Sequence, residues 1–407
     1  MNIAILAVGN EVLCGQIANT NSSYIAVEVE NLGAVVTHQQ VVPDKVEAIA
    51  EGLATAYKYA DTVLTVGGLG PTVDDLTRNG VAKFFDEELI LDEPSLREIE
   101  AFYERINRTM SPNNKQQAYG FASGKMLPNP RGTAPGLFLE KDSRAVFLLP
   151  GPPDELKGMV KNEVLPYIEE RLGIKMVSQS YRIYGIGESA AEVKIIGLYD
   201  KYPSLNIAPY ASISYVDYVV SAPQSNQEQL DAFHADFHKI LGENIVGKRG
   251  EPLAKTIVER LKGKELTIAT AESCSGGMLA SELVNVAGAS DAFLEGLVCY
   301  SNEAKMKRLG VKEKTLETYG AVSEQTVTEM ADNLRAQTGA DVAVSISGIA
   351  GPTGGTAEKP VGLCYLAVST PKGTVVEHYI FPGDREKIRI RVTSAALFLI
   401  FKQIKTL

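Results

Sequence analysis

The sequence has no tryptophan, and only four cysteines and four histidines occur among its 407 residues. The cysteines Cys14, Cys274, Cys299 and Cys364 are scattered and form no C-x-x-C pair. This pattern excludes a disulfide framework and a thiolate zinc site, and it fits a reducing compartment. No stretch approaches the roughly 18 apolar residues that a membrane span requires. We therefore expect a cytoplasmic protein that has no membrane partner.

The net charge and the length of the chain limit the expected binding partners and the expected number of domains. The 40 Lys and Arg residues are outnumbered by 50 Asp and Glu residues, which leaves a net charge of −10. An acidic chain is poorly suited to general binding of nucleic acids or acidic membranes, so nucleic acid is not an expected partner. A chain of this length is expected to form two or three domains, each with its own core.

Apolar strand patterns alternate with helical patterns at the start of the chain. Residues 3–8, 35–41 and 62–66 are predicted to be short strands with helices between them. This alternation predicts a mostly parallel sheet with right-handed crossovers. Asp44 followed by Glu47 predicts a variant capping box at the start of one of these helices.

Carboxylates follow two of the predicted strands, at the sheet edge where ligands bind. Asp74 and Asp75 end a glycine-rich loop, and Glu155 follows the sequence Pro-Gly-Pro-Pro-Asp. Because hard cations take one or two carboxylates together with substrate phosphates, these three residues are candidate metal ligands. In the alternative interpretation, Asp74 caps a helix and Glu155 is an ordinary first-turn charge.

The middle of the chain, residues 175–247, has a different pattern. Its elements follow the order β-α-β-β-α-β, which indicates a compact α+β module. The segment Gly185-Ile-Gly-Glu188 is similar to a KH loop, but the acidic Glu188 would repel a nucleic-acid backbone. We interpret the module as a spacer or an oligomerisation element.

A strand-to-helix turn in the last third of the chain contains the candidate catalytic residues. The apolar run 266–271 leads into Gly276 and Gly277, and such a turn directs free N–H groups at a phosphate or an oxyanion. No histidine lies nearby, and a lysine of lowered pKa is the usual substitute base for a hydroxyl nucleophile. The alternative is that the serines are helix caps and the lysine is a solvated helix residue. The candidates near this turn are Ser273, Ser275, Ser290, Tyr300 and Lys305.

Six motifs in the same region occur in order: TAESCSGG, YSNEAK, GAVSE, SISGIAGPTGG, EKPVG and FPGDR. Together they resemble the C-terminal domain of the CinA (competence/damage-inducible) family, a nicotinamide-nucleotide amidase domain. The resemblance implies hydrolysis of nicotinamide mononucleotide (NMN) to nicotinate mononucleotide and ammonia in pyridine-nucleotide salvage. It implies no cofactor for this reaction.

The first 170 residues resemble the molybdopterin-binding-fold domain of the same family. The motifs GGLGPTVDDLT, NPRGTAPG and PGPPDE carry this resemblance. It implies an ADP-ribose pyrophosphatase that depends on Mg²⁺ or a similar divalent metal. This chain has Asn10 and Asn19 where the family usually has aspartate. Because an amide is a weaker ligand for a hard cation, we expect a weakened metal site.

The resemblance also assigns roles in the amidase domain. Ser290 is the expected nucleophile, Lys305 its base and Tyr300 a proton relay. Ser273, Gly276 and Gly277 would orient the carboxamide or supply N–H donors. Burial and a nearby cation such as Arg385 would lower the pKa of Lys305. The remaining expected substrate-binding residues are Arg385 for the phosphate, Ser275 and Gly351.

Two alternatives to these assignments stay open. Cys274 is a rival nucleophile, although no histidine is available to hold its thiolate. Arg385 could instead be a first-turn residue paired with Asp384.

We therefore predict an α/β protein with three parts. Residues 1–172 form a mostly parallel three-layer α/β domain, residues 173–248 a small α+β module, and residues 249–407 an α/β amidase domain. The expected partners are small nucleotides, namely NMN and ADP-ribose, and a second copy of the chain in a homodimer. The alternative functions are a nucleotide pyrophosphatase, or a regulatory nucleotide-binding protein with one degenerate site.

Overall fold

The structure is a computed structural model that describes residues 1–173 and 175–407. Its contacts divide the chain into two compact units, Met1–Val177 with Pro223–Ser225, and Ser178–Ala222 with Asn226–Leu407. The boundary expected at residues 172 and 173 lies beside Ile174, which is outside the described residues. None of the helices in the described ranges combines the length and apolar character needed to cross a bilayer.

The first unit is built on a six-stranded sheet in the order β2-β1-β3-β8-β7-β6. The strands of this unit are β1 (Asn2–Val8), β2 (Val35–Val42), β3 (Thr62–Val66), β4 (Leu89–Leu91), β5 (Tyr119–Phe121), β6 (Lys125–Leu127), β7 (Gly136–Lys141) and β8 (Arg144–Leu149). Strands β4 and β5 pair with each other in a separate two-stranded sheet. Its helices are α1 (Asn10–Leu13), α2 (Thr20–Asn31), α3 (Val46–Ala56), α4 (Thr77–Phe85), α5 (Glu93–Arg105), α6 (Pro153–Met159) and α7 (Leu165–Leu172). Strands β2, β1, β3 and β8 run parallel, and β7 and β6 complete the sheet in antiparallel pairs.

Strand β1 explains why this sheet has helices on both faces. Ile3 and Ile5 belong to one buried cluster, whereas Ala4 and Leu6 belong to another. Because successive side chains of a strand point to opposite faces, a continuous apolar run requires a cover on each side. The predicted mostly parallel α/β fold class is confirmed.

The predicted capping box at α3 is wrong. The residue that precedes α3 is Lys45, and its side chain makes no capping hydrogen bond. The carboxylate of Asp44 instead accepts a hydrogen bond of 2.8 Å from the backbone N–H of Asn10. Asp44 therefore joins two loops at the carboxyl edge of the sheet.

The second unit contains two sheets. The smaller has the order β10-β11-β9-β12 and the larger the order β14-β13-β15-β16-β17. The strands are β9 (Met176–Ile183), β10 (Asn206–Ala211), β11 (Val216–Pro223), β12 (Ile245–Gly247), β13 (Ile268–Glu272), β14 (Phe293–Val298), β15 (Val342–Gly348), β16 (Leu363–Thr370) and β17 (Gly373–Ile380). The helices are α8 (Glu188–Lys201), α9 (Gln227–Leu241), α10 (Leu253–Gly263), α11 (Met278–Val284), α12 (Asn302–Leu309), α13 (Glu313–Tyr319), α14 (Glu324–Thr338) and α15 (Arg385–Thr406).

The larger sheet brings three strand ends to one edge. Strand β13 is buried along its whole length and pairs in parallel with β14 and with β15. The carboxyl ends of these strands therefore meet, as they do at the ligand-binding edge of other parallel sheets. Helix α15 packs its buried residues against the same core.

Candidate active site

Lys305 is a buried lysine in α12, only 1% exposed. Its Nζ donates hydrogen bonds to Ser273 Oγ at 3.1 Å, Cys299 O at 3.0 Å and Tyr300 O at 3.1 Å. Burial lowers the pKa of Lys305, because an ammonium group loses its hydration there. The interpretation of this lysine as a solvated helix residue is therefore wrong.

Ser273 follows β13 directly and is held in place by the sheet. Its N–H donates to Ile346 O of β15 at 3.0 Å, and the residue is 7% exposed. A neutral lysine amine has two N–H donors and one lone pair. When the Lys305 amine is neutral, its two N–H groups can donate to Cys299 O and Tyr300 O. Its lone pair then faces Ser273 Oγ and can accept the hydroxyl proton. The arrangement is a serine with its own base.

Ser290 does not lie at this site, and its expected pairing with Lys305 is wrong. Ser290 is exposed in a short 3₁₀ helix, Ala289–Asp291, just before β14. In the parallel register, Ile268 pairs with Phe293 and Glu272 pairs with Val298. Ser290 is therefore at the amino ends of the strands, whereas Ser273 and Lys305 are at the carboxyl ends. At about 3.3 Å per residue, the strand separates them by roughly 20 Å.

The N–H groups of the glycine turn are already engaged within the protein. Gly277 N–H donates to Glu272 Oε2 at 3.0 Å, and Gly276 N–H donates to Ser273 O at 3.1 Å. Glu272 also accepts from Leu279 N at 3.1 Å and Ala280 N at 2.8 Å, and it is 1% exposed. The expectation that Gly276 and Gly277 supply oxyanion donors is wrong, because a protein carboxylate occupies the start of α11.

Sequence reasoning missed Glu272. The available signal was a single carboxylate at the end of an apolar strand, followed within five residues by two glycines. Such a carboxylate can accept the unpaired N–H groups that begin the next helix. The hydrogen bonds of Glu272 thus hold the turn that contains Ser273 in place.

Replacing Glu272 should destabilise the protein. Glu272→Ala would leave three N–H donors, one buried and two half-buried, without their acceptor. Losing a buried charged acceptor costs about 3–5 kcal/mol. We expect a clear fall in the urea midpoint and the melting temperature, with a smaller fall for Glu272→Gln. Glu282→Ala, an exposed change on the same helix, is the control. Equal midpoints for Glu272→Ala and the control would contradict this role.

Two arginines of α15 approach the site on one helix face. Arg385 donates to Gly351 O at 2.8 Å and to the Tyr300 hydroxyl at 3.1 Å. Arg389 donates to Ser275 O at 2.9 Å. Sequence reasoning missed Arg389, although its spacing of four residues from Arg385 places both on the same face. The two guanidinium groups make the edge of the site cationic.

The geometry bears on two other expected roles, that of Arg385 in lowering the pKa of Lys305 and that of Tyr300 as a proton relay. Desolvation is the main cause of the lowered pKa of Lys305, and the Cys299 and Cys274 thiols oppose it, so Arg385 is not its source. The phenol of Tyr300 accepts from Arg385, while its backbone carbonyl accepts from Lys305. Asp384 pairs with Lys387 Nζ at 3.1 Å, which leaves Arg385 for the site.

Three further candidates lie next to the site, and none of their side chains is shown to face the substrate: Ser275, Gly351 and Cys274. Ser275 is 0% exposed, and its Oγ has no hydrogen-bond partner among the described residues. Gly351 contributes its carbonyl to Arg385. Cys274 is buried, and a hydrogen bond from the Cys364 thiol lowers its pKa. Direct substrate contact is therefore not supported for the Ser275 side chain.

The three carboxylates predicted to bind metal in the first unit are not gathered into a site. Across residues 1–173 and 175–407, no three His, Cys, Asp or Glu side chains form a metal-binding group. Asp74 and Asp75 both accept from the Thr72 hydroxyl, and Glu155 accepts from Asn129 Nδ2 at 2.6 Å. The residues present do not fit a three-carboxylate site.

The alternative interpretation of these carboxylates is confirmed for Glu155 and wrong for Asp74. Glu155 lies in the first turn of α6, as its alternative interpretation states. Asp74 does not cap α4, which follows Leu76 without a side-chain cap. Asn19 caps α2 by accepting from Ser22 N at 3.2 Å. The amide at this position therefore has a structural use.

Comparison with known proteins divides the chain into three matched ranges. Residues 250–404 match the family model described as "CinA C-terminal domain". Residues 4–170 match "Probable molybdopterin binding domain", and residues 178–247 match "Damage-inducible protein CinA KH domain".

Curated relatives match along the whole length. A protein of Clostridium perfringens that bears the name competence-damage inducible protein is 42% identical over 410 residues, covering 100% of this chain and 99% of the relative. A protein of the same name from Clostridium botulinum is 42% identical over 404 residues, with 98% and 99% covered.

Solved structures match a smaller part. The competence/damage inducible protein CihA from Agrobacterium tumefaciens is 41% identical, covering 37% of this chain and 92% of that one, with a TM-score of 0.36.

Proposed function

The chain belongs to the CinA family of competence/damage-inducible proteins, and on this premise we propose that its second unit hydrolyses the carboxamide of NMN. The products would be nicotinate mononucleotide and ammonia. The observation that carries the proposal is the hydrogen bond of 3.1 Å between Lys305 Nζ and Ser273 Oγ in a buried setting. A serine with a desolvated lysine base suits acyl transfer.

In the first half-reaction, Ser273 Oγ attacks the carboxamide carbon while its proton passes to Lys305 Nζ. The tetrahedral intermediate then collapses, and the Lys305 ammonium group returns a proton to the departing nitrogen. Ammonia leaves, and the nicotinoyl group remains as an ester on Ser273. Cys299 O and Tyr300 O hold the lysine in place throughout.

In the second half-reaction, the same lysine acts on water. Neutral Lys305 takes a proton from a water molecule, whose oxygen attacks the ester carbon. Collapse of the second intermediate breaks the ester bond and returns the proton to Ser273 Oγ. Nicotinate mononucleotide is released, and Ser273 and Lys305 regain their starting protonation states.

Arg385 and Arg389 are suited to the nucleotide phosphate. A guanidinium group is permanently charged and offers forked donors that match phosphate oxygens. Each of these arginines already uses backbone carbonyls to hold its position. This anchoring lowers the entropy cost of binding an anion, since the side chains are ordered beforehand.

Removal of either arginine should weaken binding more than turnover. Because a charged hydrogen bond contributes about 1.5–3 kcal/mol, Arg385→Ala and Arg389→Ala should raise KM for NMN by about 10- to 100-fold. Steady-state kinetics would measure this change, with Lys387→Ala on the same helix as the control. A fall in kcat at constant KM would contradict phosphate binding.

The whole proposal is tested by ammonia release from NMN by the intact chain, with and without a chelator. We expect turnover that the chelator does not reduce. ADP-ribose with a divalent metal is the second substrate to assay, because metal-dependent AMP formation would indicate the alternative pyrophosphatase function. No ammonia release under any condition would favour a regulatory nucleotide-binding protein.

A further inference from the structure

A cavity of about 550 Å³ lies within the second unit, between the small α+β module and the domain that contains the larger sheet. Residues 184–188 at the start of α8 and residues 211–216 at the turn between β10 and β11 line one side of it. The end of β17 and one face of α15 line the other side. Its volume falls within the range of roughly 300–1,000 Å³ that is typical of small-molecule sites.

Aromatic rings form both sides of this cavity, and the fold fixes their positions. On the module side, Tyr215 stacks on Tyr184 with ring centroids 5.5 Å apart, and the Arg182 guanidinium group lies 4.0 Å from the centroid of the Tyr215 ring. Phe398 of α15 lines the opposite side. Gly185 has a φ of +75°, and a Cβ at this position would lie 2.2 Å from Phe398 Cε1. The rings are therefore held in place before a ligand binds, which lowers the entropy cost of binding.

A small set of polar groups lines the same cavity. Ser214 Oγ is buried and has no hydrogen-bond partner in the part of the chain that the structure describes. Buried hydroxyl groups normally have a partner, so this one indicates a place for a ligand. Arg391 donates a hydrogen bond to Pro382 O, and its guanidinium group has further N–H donors for an anion. Glu188 contributes an exposed carboxylate.

We propose that this cavity binds an adenine mononucleotide, with the base between Tyr215 and Phe398 and the phosphate at Arg391. A planar base matches aromatic walls on two sides, since every base has a face that can stack on an aromatic ring. The exocyclic amino group of adenine can donate to Glu188, and a permanently charged guanidinium group suits the phosphate. The site goes beyond the proposed amidase function, because it uses none of the residues assigned to the hydrolysis of NMN.

A tryptophan reporter tests whether the cavity is occupied, because the natural chain contains no tryptophan. Ile213 lines the cavity and is 44% exposed, so Ile213→Trp places a single fluorophore beside the base. AMP should change its emission in a saturable way, with a Kd below about 1 mM. Val375→Trp, at a position on β17 that is 38% exposed, is the matched control and should show no saturable change. The absence of a saturable change for Ile213→Trp, or the same change for both reporters, would overturn the proposal.

Further changes in the Ile213→Trp protein test the assigned contacts, with circular dichroism to confirm the fold of each variant. Arg391→Ala should weaken AMP binding by about 10- to 100-fold, and it should leave the affinity for adenosine, which lacks the phosphate, unchanged. Ala395→Leu fills part of the cavity from α15 and should weaken the binding of both ligands. Lys387→Ala removes another cation of α15 and should change neither affinity. An equal loss of AMP and adenosine binding in a folded Arg391→Ala variant, or full affinity for both in Ala395→Leu, would exclude this cavity as the nucleotide site.

Discussion

The Ser273→Ala variant is expected to fold normally and to lose almost all hydrolysis of NMN. Its Oγ is the only atom removed, and it is the atom that Lys305 Nζ contacts. Loss of a nucleophile that acts with its base typically lowers kcat by a factor on the order of 10⁴–10⁶. The measurement is kcat from ammonia release, with circular dichroism to confirm the fold. Binding of nicotinate mononucleotide should persist.

Two neighbouring changes make this result specific. Cys274→Ala alters the adjacent buried residue and should keep its turnover, since the Cys274 thiol is hydrogen-bonded to the Cys364 thiol and not to Lys305 or Ser273. Ser290→Ala should keep kcat close to the wild-type value, because its hydroxyl is at the other end of β14 from Lys305. An inactive Ser290→Ala protein alongside an active Ser273→Ala protein would reverse the assignment of the nucleophile.

Lys305→Met should be as inactive as Ser273→Ala, since it removes the base and fills a similar volume without a charge. We expect kcat to fall by a factor on the order of 10³ or more. Lys305→Arg should also be inactive, because a guanidinium group stays protonated and cannot accept the hydroxyl proton. Turnover by either variant near the wild-type rate would exclude Lys305 as the base.

The pH dependence of the wild type follows from the same group. Burial lowers the pKa of Lys305, and the reactive form is the neutral amine. Activity should therefore be lost as the pH falls through this lowered pKa and the amine becomes ammonium. It should rise with pH and level off before the usual lysine value of about 10.4. A rate that falls as the pH rises over this range would contradict the assignment.

Local pattern was enough for much of this fold. The strand Thr62–Val66 has the bounds that its apolar pattern predicts, and the strands predicted at residues 3–8 and 35–41 are observed at Asn2–Val8 and Val35–Val42. A short apolar run bounded by turn residues is typical of a strand. Capping was less predictable at Asp44, because its carboxylate was taken by a backbone N–H 34 residues away in the chain.

The sequence by itself determined the α/β class, the family and most of the polar residues from which the site is built, although Glu272 and Arg389 were missed. Only the tertiary structure decided which of them meet. Ser273 and Ser290 both precede Lys305 in the sequence, but they lie at opposite edges of the sheet. Ser273 follows the carboxyl end of β13, whereas Ser290 precedes the amino end of β14, and the two strands run parallel. The tertiary structure also decided that Glu272 takes the N–H groups of the glycine turn. These outcomes depend on strand direction, register and competition among acceptors, which residue spacing does not record.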